Sequence, residues 1–422
     1  MGLLQSLVRP CPSLGTSSQV YEVLSPGGGA GSSAAAADWV GIPVAVAGTF
    51  RNLKVNLDTA PGGLTFRTVT LYKNGLATSL TFSITGTATA GQDIVNAVTY
   101  AVGDSIWLRF DLSGSPAASA GKWSVDFEAA DNFTSQYGIS NLNTGSGQYL
   151  DLFAGSDHSA QNQGEAVISQ AGTITGLVGA NYSNSLSALV ALDVYLYKNG
   201  VKQDGTGGTV DTKLSITNVA AATAVVKSFS LSVSRGDVVY AETFLTGSPA
   251  GRMGVALSFV SSTAHRYMSM GGGNNLSSVT AYGRANRAAA TWRTVNDSLT
   301  QYRSGVTPVW YGLMYAKAAN APGAGETRDI DLLSGTSVPT GTPAGQITNA
   351  VLTIDDTKWT QFVEDQTLGP IRNVPSASAG TTGRVLVAFV VTAVDPTVTP
   401  PIVFNPDDIP VGLVWVEAYL PD

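Results

Sequence analysis

Chemistry needs side chains of the right type brought close together, and this sequence of 422 residues offers few candidates. It holds two histidines, His158 and His265, and one cysteine, Cys11. A zinc site takes three or four His, Cys or carboxylate ligands. His158 lies in the polar stretch FAGSDHSAQNQ and reads as a turn residue. His265 adjoins Arg266 and Tyr267 and reads as a strand or loop edge. A lone cysteine forms no intrachain disulfide and no thiolate cage. The carboxylate pairs Asp355-Asp356 and Asp407-Asp408 are adjacent in sequence. On a strand, neighbours point to opposite faces, so these pairs read as exposed turn acids. No nucleophile elbow, phosphate loop or EF-hand spacing occurs, and Gly271-Gly272-Gly273 reads as a linker. The expectation is no catalytic residue, no metal, no cofactor and no enzyme activity. What remains is a set of rings, Tyr72, Trp107, Tyr195, Tyr197 and Tyr240. They are expected to face away from the core, as an interaction surface that packs on a subunit or domain or else stacks on sugar.

The elements that would position these rings are strands. In Leu53-Lys54-Val55-Asn56-Leu57 apolar and polar residues alternate. A strand turns successive side chains to opposite faces, so Leu53, Val55 and Leu57 share the buried side. Val69 and Leu71, Val194 and Leu196, and Ile106, Leu108 and Phe110 repeat the pattern. Asn74-Gly75 and Asn199-Gly200 signal two-residue hairpin turns, because Asn and Gly tolerate the positive φ that such turns need. Helical signal is confined to Ala285 to Val295 and Ala34 to Ala37, neither with an apolar stripe.

The strands recur in blocks. AGTFRNLKVNLDTAPGGLTFRTVTLYKNG, ending at Gly75, parallels AGTITGLVGANYSNSLSALVALDVYLYKNG, ending at Gly200. Gly103-Asp104 recurs as Gly236-Asp237, and Trp123, Val125 and Phe127 as Val255, Leu257 and Phe259. A third copy is read from the stretch 305 to 335, with Val385, Val387 and Phe389 in the place of Trp123, Val125 and Phe127. Front segments precede each copy, at Gln19 to Leu24, Gln148 to Phe153 and Ser278 to Tyr282. The expected fold is all-β: three tandem antiparallel β-sandwich (jelly-roll-like) domains with an extended N-terminal arm. The expected boundaries are 1–17 for the arm, 18–144, 145–273, and 274–422 with a closing strand near Gly412 to Tyr419. Pro10 and Pro12 would hold the arm rigid, and Met1-Gly2 with Ser6 is a chance-level myristoylation pattern. The first residues are not expected to form a signal peptide, since Gln5 and Arg9 break the apolar stretch.

Charged residues make up only 13% of the chain, about half the usual share. Such a surface suits partial cover by other copies. The net charge of −7 and the scattered Lys and Arg argue against nucleic acid. No apolar run is long enough for a membrane span.

Leu71-Tyr72-Lys73-Asn74-Gly75, followed by Val102-Gly103-Asp104-Ser105-Ile106-Trp107, resembles the complement-C1q/tumour-necrosis-factor type of jelly roll. Leu196-Tyr197-Lys198-Asn199-Gly200, followed by Arg235-Gly236-Asp237-Val238-Val239-Tyr240, repeats it. The third copy lacks both motifs in clear form. The low-charge tandem style is similar to tailed-phage virion proteins of the tail-fibre, head-fibre and capsid-decoration kind. That resemblance implies a non-enzymatic structural protein located in the virion, a phage fibre or a capsid or tail surface decoration protein. Implied partners are other virion proteins and copies of the chain, as a trimer or pseudo-trimer, and a host surface glycan. A carbohydrate-binding host-adhesion module is the alternative, and a glycan-degrading tailspike the second. No binding residue carries over, because the matched residues are turn residues.

Overall fold

The computed structural model describes residues 4–24, 41–131, 133–143, 147–153, 156–158, 166–168, 170–181, 191–217, 223–246 and 252–262, and the backbone of strands between 266 and 419. Among these residues every regular element is a strand. The chain divides into two compact units: 1–166 with 171–265, and 167–170 with 266–422.

The first nine strands are β1 (Leu4–Leu14), β2 (Val20–Val23), β3 (Ile42–Pro43), β4 (Gly48–Leu57), β5 (Phe66–Lys73), β6 (Leu76–Thr85), β7 (Ala90–Tyr100), β8 (Ser105–Ser113) and β9 (Ser119–Ala129). They form two antiparallel sheets, ordered β1-β9-β4-β7 and β2-β8-β5-β6, with β3 also on β8. The first strand lies beside the last, and apart from the β2–β3 and β5–β6 connections the chain crosses between the sheets at each step, which is jelly-roll connectivity. Leu53, Val55, Val69, Leu71, Ile106, Leu108, Val125 and Phe127 are fully buried between the sheets. The alternation read from sequence therefore fixes the inner face.

Residues 4–14 are not an arm. They pair with β9 as an edge strand, Leu7 opposite Val125, and Leu7 and Leu14 are buried. Pro10 and Pro12 fit there because an edge strand leaves one side of its backbone unpaired. The buried Arg67 holds the strand's end, donating from Nη2 to the carbonyls of Leu14 (3.2 Å), Gly15 (2.8 Å) and Ala117 (2.8 Å).

The second set is β10 (Thr134–Asn143), β11 (Tyr149–Asp151), β12 (Ser156–His158), β13 (Ala166–Val167), β14 (Gly172–Asn181), β15 (Ala191–Lys198), β16 (Val201–Lys202), β17 (Leu214–Ile216), β18 (Ala224–Val233), β19 (Val238–Thr246) and β20 (Arg252–Ser261). Its sheets run β10-β20-β14-β18 and β12-β11-β19-β15-β16, the same plan. Sheet pairing therefore starts the second roll at Thr134, before the Gly/Asn/Ser stretch near residue 144. The connection is a turn closed by Asp131, whose carboxylate accepts from the Phe133 and Thr134 N–H groups and the Thr134 hydroxyl.

The two rolls are sewn together. Gln5 donates from Nε2 to the Gln136 carbonyl (2.8 Å) and accepts the Gln136 N–H (3.0 Å), while Gln136 Oε1 accepts from the Ala45 N–H (3.2 Å). Val44, Ala45 and Val46 of the first roll share one core cluster with Val178 and Ala256 of the second.

Between 266 and 419 the backbone forms two more antiparallel sheets. Arg266–Gly271 and Val309–Ala316 flank Leu413–Tyr419, as β1 and β4 flank β9. Ala281–Arg284 and Thr327–Gly335 flank Val385–Val394, as β2 and β5 flank β8. Val385, Val387 and Phe389 thus stand in the place of β8, and the closing strand takes the place of β9. The segments Ala34 to Ala37 and Ala285 to Val295 lie outside the described residues.

Candidate interaction surfaces

The repeated Lys-Asn-Gly and Gly-Asp motifs meet in space and lock two turns together. Asn74 and Gly75 have φ of 50° and 85°, and Asn199 and Gly200 of 52° and 78°. These are the left-handed values the tight hairpin demands. In the first roll Asn74 donates from Nδ2 to Asp104 (2.6 Å) and accepts the Ser105 N–H (2.8 Å). Asp104 also accepts the Ala101 N–H (2.7 Å) and pairs with Lys73 (2.9 Å), which donates to the Thr99 carbonyl (2.9 Å). The second roll repeats each contact. Asn199 donates to Asp237 (2.7 Å) and accepts the Val238 N–H (2.8 Å). Asp237 accepts the Ser234 N–H (2.7 Å) and pairs with Lys198 (3.0 Å), which donates to the Ser232 carbonyl (3.0 Å).

This staple joins the β5–β6 hairpin of one sheet to the turn entering β8, and its counterpart does the same in the second roll. Burial pushes the Asp104 and Asp237 carboxyls up, towards the neutral form. Hydrogen bonds from Ala101, Lys73 and Asn74, and from Ser234, Asn199 and Lys198, outweigh that and hold both carboxyls below the usual range. The motifs that carry the family resemblance are therefore structural, and the role of Lys73, Asp104, Lys198 and Asp237 was not read from sequence. Their joint recurrence was the available signal.

By register the five rings fall on the strand faces opposite the fully buried side chains, in two separate groups, and Trp107 also packs against the core cluster. Tyr72 stacks on Trp107 with centroids 5.7 Å apart and planes at 14°. Arg109 lies over Tyr72 at 4.6 Å and pairs with Asp111 at 2.7 Å. In the second roll Tyr197 stacks on Tyr240 at 4.7 Å and 11°, and Tyr149 meets Tyr240 edge-on at 5.9 Å. Tyr195 meets Phe244 edge-on at 5.5 Å, with the Lys202 ammonium 3.8 Å from the Tyr195 centroid. Tyr72 (7% exposed) and Tyr240 (4%) are buried, while Trp107, Tyr195 and Tyr197 are half-buried. Burial, followed by the hydrogen bond to Glu242, pushes the Tyr197 phenol up. Each of the five rings thus already packs on another ring, and Arg109 and Lys202 lie over Tyr72 and Tyr195. Sequence reading missed Tyr21, Tyr149 and Phe244 on these faces. It also missed that Arg109 and Glu242 occupy the same register position with opposite charge.

Among the described residues no group of three or more His, Cys, Asp and Glu is placed to hold a metal. His158 ends β12, opposite Tyr149, and Asp355 ends the strand Gln346–Asp355. His265, Asp356, Asp407 and Asp408 lie outside the described residues. No long apolar helix suited to crossing a membrane is present among the described residues.

No protein-family model matches the chain, and no curated protein matches it. Among solved structures, the crystal structure of the major capsid protein P2 from Bacteriophage PM2 is similar over 54% of this chain and 94% of its own. The identity is 8% and the TM-score 0.15, a likeness too distant to carry a functional argument.

Proposed function

We propose that the chain is a non-enzymatic virion structural protein, a phage fibre or a capsid or tail surface decoration protein, acting through contacts with other virion proteins and with copies of itself. One observation carries the reading: its most distinctive repeated motifs serve architecture. Lys73, Asn74 and Asp104, and Lys198, Asn199 and Asp237, hold turns in place, and two rolls are sewn into one unit through Gln5, Gln136 and Val44 to Val46. A low-charge surface on stiff tandem modules suits a building block. The fold alone does not choose among functions. Peptide mass spectrometry of purified phage particles tests the proposal. The chain is expected there at a fixed copy number after a high-salt wash; its absence, with free protein in the host lysate, overturns the reading.

A carbohydrate-binding role is the second reading, motivated by the outer-face rings. Glycan-array binding that disappears in Trp107→Ala or Tyr240→Ala would favour it. Since each ring already packs on another ring and Tyr72 and Tyr240 are buried, the expected result is no ring-dependent binding. A polysaccharide-depolymerisation assay without product removes the tailspike reading.

A further inference from the structure

The sequence holds two Asn-Gly steps, Asn74-Gly75 and Asn199-Gly200, and each stands inside a staple. Such a step carries a reaction of its own. The glycine nitrogen attacks the carbonyl carbon of the asparagine side chain, ammonia leaves, and a cyclic succinimide forms. Glycine favours the attack because no side chain hinders the approach. Water then opens the ring to aspartate or, at the other carbonyl, to isoaspartate, whose main chain runs through the side-chain methylene. Both asparagines and both glycines are exposed, so water reaches them.

Ring closure requires the side chain to swing and the backbone beyond the asparagine Cα to turn. The staple opposes both movements. Asn74 donates from Nδ2 to Asp104 (2.6 Å), its Oδ1 accepts the Ser105 N–H (2.8 Å), and its own N–H donates to the Ser105 carbonyl (3.0 Å). Asn199 is held alike by Asp237 (2.7 Å), the Val238 N–H (2.8 Å) and the Val238 carbonyl (2.8 Å). Each side-chain amide is thus engaged at both its nitrogen and its oxygen. The product does not fit the same place. Hydrolysis puts a carboxylate oxygen where Nδ2 met Asp104 or Asp237, and like charges at that distance repel. Isoaspartate also adds a methylene to the main chain of a tight hairpin turn, whose geometry is narrowly set.

We infer that Asn74 and Asn199 are deamidation sites that the staples hold shut, and that conversion of either one releases its staple for good. The inference does not depend on the virion reading. Peptide mass spectrometry of the full chain after timed incubation in mildly alkaline buffer is the test. Folded wild type is expected to convert both sites at least about tenfold more slowly than the same chain in urea, because the reaction waits on local opening. Asp104→Ala should speed Asn74 at least about tenfold and leave Asn199 slow, and Asp237→Ala should do the reverse. Equal rates in folded and urea-unfolded wild type, or a folded variant that leaves its own asparagine slow, overturn the inference. A variant that fails to fold converts both sites at the urea rate, and the wild-type comparison then decides. Asn74→Asp carries the aspartate product. It is expected to exchange the amides of the β5–β6 hairpin at least about tenfold faster than wild type, and exchange at the wild-type rate overturns the release step.

Discussion

The first and second jelly rolls share their staple and differ in their flanks. Each contact from Lys73, Asn74 and Asp104 recurs from Lys198, Asn199 and Asp237 with closely similar distances. In the stretch enclosed by those contacts, one roll carries the single buried acid Asp93, while the other carries two ion pairs, Lys202 with Asp204 and Lys227 with Asp211, and sends Lys213 to Asp193 just outside it. The docking faces diverge in the same manner. Lys54 and Ser124 of the first roll take the register positions of Val178 and Ala256, which the second roll uses to receive Val44 to Val46. Duplicated modules thus keep what closes the fold and change what each face meets.

The strongest way to break that comparison is at its shared core. A Cβ on Gly48 would lie 2.6 Å from the Phe127 ring and 2.5 Å from the Glu128 carbonyl. On Gly172 it would lie 2.4 Å from both the Phe259 ring and the Val260 carbonyl. Gly48→Ala and Gly172→Ala are each expected to cost about 3 kcal/mol in urea unfolding. An intact roll in one variant and a damaged roll in the other would show that the copies are not equivalent.

The staple gives the next effect. Asp104→Asn and Asp237→Asn are each expected to cost about 2 kcal/mol at neutral pH, since each removes an ion pair and weakens several hydrogen bonds. Because both carboxyls are held below the ordinary 3.8, their stabilisation is complete above that value. It drains as pH falls through the lowered values. Melting temperatures of wild type and variants should therefore converge in acid, and a gap that persists there would contradict the staple's ionic character. Smallest is Lys227→Ala on the charged flank, expected to change stability by less than about 0.5 kcal/mol, because exposed pairs gain little. A larger loss would make that flank structural.

Much of the inner architecture was legible in the sequence. Alternation at Leu53, Val55 and Leu57 and at Ile106, Leu108 and Phe110 set the buried faces, and Asn-Gly located the hairpins. Three features were not legible, for physical reasons. Residues 4–14 look like an arm because prolines are tolerated on an edge strand, where pairing depends on β9, far away in sequence. Val385, Val387 and Phe389 resemble β9 because different strands of one sandwich share the same alternating apolar composition; only pairing partners tell them apart. Tyr72 and Tyr240 face outward by periodicity yet are buried, because exposure depends on neighbours that periodicity does not specify.

Hydrogen–deuterium exchange of wild type and Asp104→Asn at neutral pH most directly tests whether each staple closes its own roll. Amides of the β5–β6 hairpin and of the turn entering β8 should lose protection in the variant, while their counterparts at Asn199 and Val238 exchange at the wild-type rate. No change at the first staple, or an equal loss at both, would contradict the account.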